Sequence, residues 1–89
     1  MSDLPGNQAA IRKAAREYIL TEFLPGEDPS ALTDSTPLIT GGILDSIASV
    51  KLVSFLEERF GVRFEAHEVS VDYLDTLDGI VGTVERKLK

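Results

Sequence analysis

Apolar residues recur at helical spacing in three segments of the chain. The first segment lies between two Pro-Gly dipeptides, at 5–6 and 25–26, and predicts a helix over about residues 7–24 with Asn7 as its N-terminal cap. One stripe of this otherwise polar cylinder is apolar and should face the core. It consists of Ile11, Ala14, Ala15, Tyr18, Ile19 and Phe23.

The second periodic segment runs from Ser46 to Phe60. Gly61 follows it, the residue type favoured where a helix ends in a left-handed conformation. At 100° per residue, one broad side of this predicted helix is apolar and should face the core. That side consists of Leu52, Val53, Phe55, Leu56 and Phe60.

The third periodic segment is the C-terminal one, which Asp75 or Thr76 can cap. Its apolar positions are Leu77, Ile80, Val81, Val84 and Leu88, and basic residues at its end suit the negative end of a helix. The pattern over residues 66–74 is ambiguous between a short helix and an irregular turn. We favour a short third helix there.

Residues 25–45 are rich in Pro, Gly, Ser, Thr and Asp, which argues against a long regular element. This predicted loop nevertheless holds five aliphatic residues that need burial: Leu32, Leu38, Ile39, Ile43 and Leu44. We therefore expect the loop to pack on the helices. Residues 62–65 read as a short extended piece, and no segment reads as a paired strand.

These patterns predict an all-α fold, a small bundle of three to four helices with a long loop between helices one and two. The 89 residues, at 9.7 kDa, form one domain spanning residues 1–89, of which residues 1–6 are expected to be a disordered tail. A chain of this size has a thin core and little room for a catalytic pocket.

Charge and composition narrow the function classes. Fifteen acidic and nine basic residues leave a net charge of −6, which disfavours nucleic acid and anionic membranes as partners and favours basic patches on other proteins. The chain has no cysteine, which excludes disulfides and thiolate metal sites. Without an apolar span or a leader-like N-terminus, we expect the protein in the cytoplasm. We also expect it to be a monomer.

The second helix carries polar residues on the arc opposite its core side, but two aliphatic residues share that arc. Either the preceding loop folds over these two side chains, or they form an apolar docking spot for a partner protein beside acidic residues. The arc consists of Ile47, Val50, Lys51, Ser54, Glu57 and Glu58.

Ser46 begins this helix and follows Asp45. The start of a helix has unsatisfied N–H groups and a positive dipole end, so an anion attached to a side chain there is stabilised. A serine phosphodiester would suit this position. The alternative is that Asp45 or Ser46 only caps the helix, as both residue types commonly do.

A longer stretch around Ser46 resembles the acyl carrier proteins. It is Gly42-Ile43-Leu44-Asp45-Ser46-Ile47, followed by Leu52-Val53 and Leu56-Glu57-Glu58-Arg59-Phe60-Gly61-Val62. The predicted helices and the long loop also follow the order of that family, so the resemblance covers about residues 8–88. It implies that Ser46 receives 4'-phosphopantetheine from coenzyme A through a separate phosphopantetheinyl transferase. The thiol of that arm would hold an acyl or aminoacyl group as a thioester.

The resemblance also implies roles for the neighbours of Ser46 in a carrier that is not itself an enzyme. Asp45 would help enzymes recognise the site, and Ile47 and Val50 would be apolar contacts beside the arm. The remaining residues of the arc would dock partner enzymes, with Glu57 and Glu58 meeting basic groups. Those partners would be a loading ligase or transferase and downstream synthase enzymes of fatty-acid-like, polyketide or nonribosomal peptide biosynthesis.

Three positions depart from the family pattern. Ala48 and Lys51 stand where carriers of fatty-acid synthases usually present acids, and Ile47 stands where Leu is commoner. These departures favour a specialised pathway, such as polyketide or peptide assembly. The alternative function is an unmodified helical adaptor that binds proteins through the Ile47 and Val50 patch.

Other candidate chemistry is weaker. His67 is the only histidine, but no spacing brings it to Ser46 for nucleophilic catalysis, and we expect it on the surface. Leu44 and Ala48 stand where a nucleophile elbow needs glycine. No metal or nucleotide site is predicted from the acidic or glycine residues.

Overall fold

Four α-helices make up most of the computed structural model, which describes residues 8–88. They are α1 (Gln8–Phe23), α2 (Ser46–Phe60), α3 (Val71–Leu74) and α4 (Leu77–Leu88). Two short 3-10 helices, Pro29–Ala31 and Ala66–Glu68, interrupt the loops, and the described residues contain no strand. The prediction of a small all-α bundle is confirmed. The predicted tail over residues 1–6 and the Asn7 cap lie outside the described residues.

The core lies where α1, α2 and α4 meet, with α3 packed against α4. The apolar stripes predicted for the three long helices supply most of its buried side chains, including Ile11 and Ile19 of α1, Leu52 and Leu56 of α2, and Ile80 of α4. Four predicted members lie at the edge of the core: Tyr18, Phe23, Phe55 and Leu88. The rings of Tyr18 and Phe55 stack 4.3 Å apart where α1 meets α2.

The helix ends follow local chemistry. Gly61 ends α2 with φ of +69° and donates its N–H to the Glu57 carbonyl at 2.9 Å, as its predicted role as a left-handed cap requires. At the start of α4, the hydroxyl of Thr76 accepts a hydrogen bond from the Gly79 N–H at 3.0 Å. Of the two predicted caps, Thr76 therefore caps α4, and the Asp75 carboxylate has other partners.

The segment over residues 66–74 contains a short third helix, as favoured, but this helix covers only Val71–Leu74. The segment divides into the 3-10 helix Ala66–Glu68 and α3, because Ser70 is extended between them at φ −156° and ψ 171°. A capping box between Glu65 and Glu68 begins the 3-10 helix. The Ser70 hydroxyl donates to the His67 carbonyl at 3.0 Å and helps to end it.

The long loop between α1 and α2 packs on the helices, as predicted. Leu32, Leu38 and Leu44 are buried in the core, and Ile39 and Ile43 pack against it. Charged groups hold the first half of the loop: Arg12 bridges the carboxylates of Asp34 and Asp78 at 2.8 Å each. The first half of the loop is therefore tied to α1 and to the start of α4.

Candidate functional site

Ser46 is the first residue of α2, and its side chain is exposed. The preceding residue, Asp45, caps the helix, because its Oδ1 accepts a hydrogen bond of 2.7 Å from the Ala48 N–H. Within residues 8–88, the Ser46 hydroxyl makes no hydrogen bond. The role of cap therefore falls to Asp45, and the Ser46 hydroxyl is accessible.

The position of this hydroxyl also gives it a favourable electrostatic setting for an anion. It lies at the first turn of a fifteen-residue helix, where the backbone dipoles leave partial positive charge. The first turn of α2 contains no acidic residue, and Asp45 is the adjacent carboxylate. A negatively charged group on Ser46 Oγ would therefore lie at the positive end of α2.

An open cleft of about 600 Å³ adjoins Ser46. One wall comes from the long loop, one from α2, and one from the segment that joins the second 3-10 helix to α3. The side chains that line it are mostly aliphatic, with three serines among them. The lining residues are Ile39, Leu44, Asp45, Ser46, Ser49, Val50, Val69, Ser70 and Val71.

Three large apolar side chains are exposed among the described residues: Ile47 at 69%, Val50 at 58% and Val71 at 44%. The interpretation in which the long loop covers Ile47 and Val50 is therefore wrong. Val71 adds a third aliphatic residue, contributed by α3. Sequence reasoning missed Val71 because the helical face of residues 66–74 could not be assigned.

The polar residues of the predicted docking arc are not equivalent. Lys51, Ser54 and Glu58 are exposed, as expected. Glu57 differs, because it is half-buried and its Oε2 accepts a hydrogen bond of 2.8 Å from the Phe64 N–H. The placement of Glu57 on the freely exposed arc is thus wrong: its carboxylate holds the extended segment that follows α2.

Ser49 and Asp75 are two residues near the site that sequence reasoning did not assign to it. Ser49 lies one turn after Ser46, is 93% buried and lines the cleft. Asp75 holds the loop that leads to Ser46 through three hydrogen bonds. The spacing of Ser46 and Ser49 along one helix face could have indicated the first, but no local signal indicates the second.

The remaining candidates do not join the site. His67 is exposed, and its ring makes an edge-to-face contact with Tyr73. Between residues 8 and 88, no group of three or more histidine and acidic side chains is arranged to hold a metal ion. Nor does that region include a helix with the length and apolar character needed to cross a bilayer.

A comparison with known protein families finds no family model that matches the chain, and a comparison with curated proteins finds no match. The fold and site therefore define the class of molecule. It is a small all-helical domain that exposes one serine at the start of a helix, beside an apolar patch and an open cleft.

Proposed function

We propose that this protein is an acyl carrier protein that receives 4'-phosphopantetheine on Ser46. The observation that carries the proposal is the accessible Ser46 hydroxyl at the first turn of α2. This hydroxyl does not cap the helix, because the adjacent Asp45 is the cap. The resemblance of residues 42–62 to acyl carrier proteins supports the same assignment.

The residues around Ser46 fit such a group. A phosphodiester on Ser46 Oγ would carry its negative charge at the positive end of α2. The adjoining cleft offers mostly aliphatic walls to a flexible chain that begins at Ser46. The chain has no cysteine, so the thiol for a thioester has to come from an attached group.

In the proposed modification, Ser46 Oγ forms a bond to the phosphorus that bears pantetheine in coenzyme A. The bond from that phosphorus to the bridging oxygen breaks, 3',5'-ADP leaves, and the serine proton passes to a base of the transferase. Once bound, the group supplies the thiol that holds acyl or aminoacyl cargo. Asp45 keeps α2 capped throughout, because its carboxylate binds Ala48 and not the serine.

The exposed apolar residues would provide the contact surface for partner enzymes. Ile47 and Val50 flank Ser46 on α2, Val71 faces solvent on α3, and Glu58 and Lys51 add charge on α2. A patch of so few side chains suits transient encounters, since a stable interface needs about 1,200–2,000 Å² of buried surface. Short-lived binding is what a shuttle between enzymes requires.

The pathway in this proposal is a specialised one in the cytoplasm, such as polyketide or peptide assembly. Lys51 is exposed on α2 and presents a positive charge where an acid would be expected in fatty-acid carriers. Ala48 is 7% exposed, so its side chain contributes almost nothing to the docking surface. The docking helix is therefore less acidic than the corresponding helix expected in fatty-acid carriers.

Mass spectrometry tests the proposal. The chain is incubated with coenzyme A, Mg²⁺ and a broad-specificity phosphopantetheinyl transferase, and its intact mass is measured. We expect the gain of one phosphopantetheine by the wild type and by Ser54→Ala, which removes another exposed serine of α2. Ser46→Ala should gain nothing. A wild type that stays unmodified, or a Ser46→Ala variant that is modified, contradicts the proposal.

The second candidate is an unmodified adaptor that binds proteins through Ile47 and Val50. The exposure of both side chains favours it as well, because exposed aliphatic residues side by side are typical of contact surfaces. The same experiment separates the two candidates. An adaptor gains no mass on Ser46, and its binding to a partner would be unaffected by Ser46→Ala.

A further inference from the structure

One carboxylate, that of Asp75, holds the turn that leads into Ser46. Its Oδ1 accepts hydrogen bonds from the N–H groups of Ile39 at 2.8 Å and Thr40 at 2.9 Å, and its Oδ2 accepts from the Thr40 hydroxyl at 3.0 Å. Asp75 lies 35 and 36 positions further along the chain than these donors. Because Thr76 caps α4, the Asp75 carboxylate is not needed for that purpose.

The backbone of Asp75 continues this connection toward Ser46. Its carbonyl accepts the Leu38 N–H at 2.6 Å, and the Leu38 carbonyl accepts the N–H groups of Ile43 and Leu44 at 2.8 Å each. We call residues 38–44 the anchor turn. Leu44 is buried at its end, and Asp45 and Ser46 follow directly. The path of the backbone into Ser46 is thus defined by the anchor turn, and the anchor turn is held by Asp75.

The anchor turn also forms one wall of the cleft beside Ser46. Its residues Ile39 and Leu44 line the cleft together with Val69 and Val71 of the segment around Ser70. A change in the anchor turn would therefore alter both the approach to the Ser46 hydroxyl and the shape of the adjoining cleft.

We propose that Asp75 is a positioning residue for the modification of Ser46: its carboxylate holds the anchor turn so that the serine hydroxyl is presented in one defined place. This proposal rests on the proposed function of Ser46. The hydrogen bond from the Thr40 N–H, together with the others, lowers the pKa of the Asp75 carboxyl below its ordinary value, which keeps it ionised near neutral pH.

Steady-state kinetics of phosphopantetheine transfer test the proposal in the full chain, with the carrier as the varied substrate. We expect Asp75→Ala to lower kcat roughly ten- to a hundredfold, since a shift of about 1 Å in a reacting group can cost about 100-fold. KM should change little, because Ile47 and Val50 remain exposed on α2. Asp75→Asn should recover most of the rate, because its amide oxygen can still accept the two N–H bonds.

Asp78→Ala is the matched control. It removes another carboxylate at the start of α4, one that binds Arg12 and not the anchor turn. We expect its kcat to stay within about twofold of wild type, because the hydrogen bonds from the anchor turn to Asp75 remain. Amide hydrogen exchange gives a second readout: Asp75→Ala should speed exchange at Ile39 and Thr40, and Asp78→Ala should not.

Thr40→Val keeps the test decisive if Asp75→Ala fails to fold. It removes only the hydrogen bond from the Thr40 hydroxyl to Oδ2 and should lower kcat by a smaller factor than Asp75→Ala does. The double variant Thr40→Val with Asp75→Asn should show no further loss of kcat relative to Thr40→Val. If kcat is unchanged in Asp75→Ala, the positioning role of Asp75 is overturned and the proposed function of Ser46 is not. If only Thr40→Val folds, an unchanged kcat in that variant has the same meaning. A wild-type chain that accepts no phosphopantetheine overturns the proposed function, and the role of Asp75 falls with it.

Discussion

The carboxylate of Asp45 accepts a hydrogen bond of 2.7 Å from the backbone N–H of Ala48, and this bond leaves the intervening Ser46 side chain exposed and uncommitted. Serine and aspartate are both good N-terminal caps, so either residue could have taken this role. The extended backbone of Asp45, at φ −87° and ψ −172°, assigns the cap to Asp45. Asp45 thereby takes the structural role of cap, and the adjacent Ser46 hydroxyl remains available for the proposed modification.

This division predicts a loss of stability on substitution of Asp45 and almost none on substitution of Ser46. Asp45→Ala should lower the free energy of unfolding by about 1 kcal/mol, because it removes the cap. Ser46→Ala should change it by less than about 0.5 kcal/mol, because no hydrogen bond within residues 8–88 is lost. Urea unfolding followed by circular dichroism measures both. Asp45→Asn, which keeps an accepting oxygen, should remain close to wild type, and a large loss in Ser46→Ala would contradict the assignment of the cap.

The exposed aliphatic residues of α2 should matter for partner enzymes and not for folding. Ile47→Asp and Val50→Asp should each slow phosphopantetheine transfer by about tenfold, the effect of losing about 1.4 kcal/mol of contact energy. The melting temperature and helical signal should stay nearly unchanged, because both side chains face solvent. Thr21→Asp adds the same charge at an exposed position of α1 and should leave the rate unaltered. Equal loss of fold and rate in the α2 variants would argue against a docking surface.

Leu56 provides the contrasting case on the other side of α2. It is completely buried, so Leu56→Ala should lower the free energy of unfolding by about 2–5 kcal/mol through lost contacts and a residual cavity. For a domain of this size that is a large share of the total stability. Chemical denaturation measures it, and a change below about 1 kcal/mol would mean that the α2 core face is wrongly assigned.

Two glycines should respond to alanine in opposite directions. A Cβ on Gly41 would collide with the backbone carbonyl of Pro37, which cannot move aside as a flexible side chain could. Gly41→Ala should therefore destabilise the fold by about 1–3 kcal/mol. Gly82 lies within α4, where a Cβ would meet only the Arg86 side chain at 3.7 Å, so Gly82→Ala should stabilise the fold by about 0.5–1 kcal/mol. Melting temperatures of the two variants check both signs.

Acid should release the anchor turn. The hydrogen bond from Thr40 N–H and its companions lower the pKa of Asp75 in the folded protein, so the ionised carboxylate contributes stability above the pKa of an unfolded aspartate, about 3.9. That contribution is lost as pH falls through the lowered pKa of the folded state. Wild type should exceed Asp75→Asn in stability at pH 7, and the difference should shrink as the pH falls below about 4. Urea unfolding across pH measures this, and a difference independent of pH would exclude the ionic contribution.

Most of the helical architecture could be predicted from local patterns. The observed bounds of α2 coincide with the predicted segment, and α1 ends one residue before its predicted end, while its predicted first residue lies outside the described residues. Periodicity and terminal caps such as Gly61 carry this information because they depend on neighbours within one or two turns. The segment over residues 66–74 was harder, since its helices of three and four residues are too short to show a period.

The candidate site was only partly predictable. The placement of Ser46 at the start of α2, and of Ile47 and Val50 on the arc opposite its core side, follows from position on a helix. The hydrogen bond between Glu57 and Phe64 and the exposure of Val71 depend on where the segment after α2 packs on the helices. The sequence pattern of neighbouring residues does not determine that packing.

The amino-acid order alone determined three amphipathic helices, a packed loop and a serine at the opening of the second helix, because each of these follows from short-range geometry and the burial of apolar side chains. Only the tertiary structure decided that Asp45 is the cap, that the loop leaves Ile47 uncovered, and that Asp75 holds the turn 35 residues before it. The reason is physical: a hydrogen bond between distant residues forms only after the helices have packed and brought donor and acceptor together.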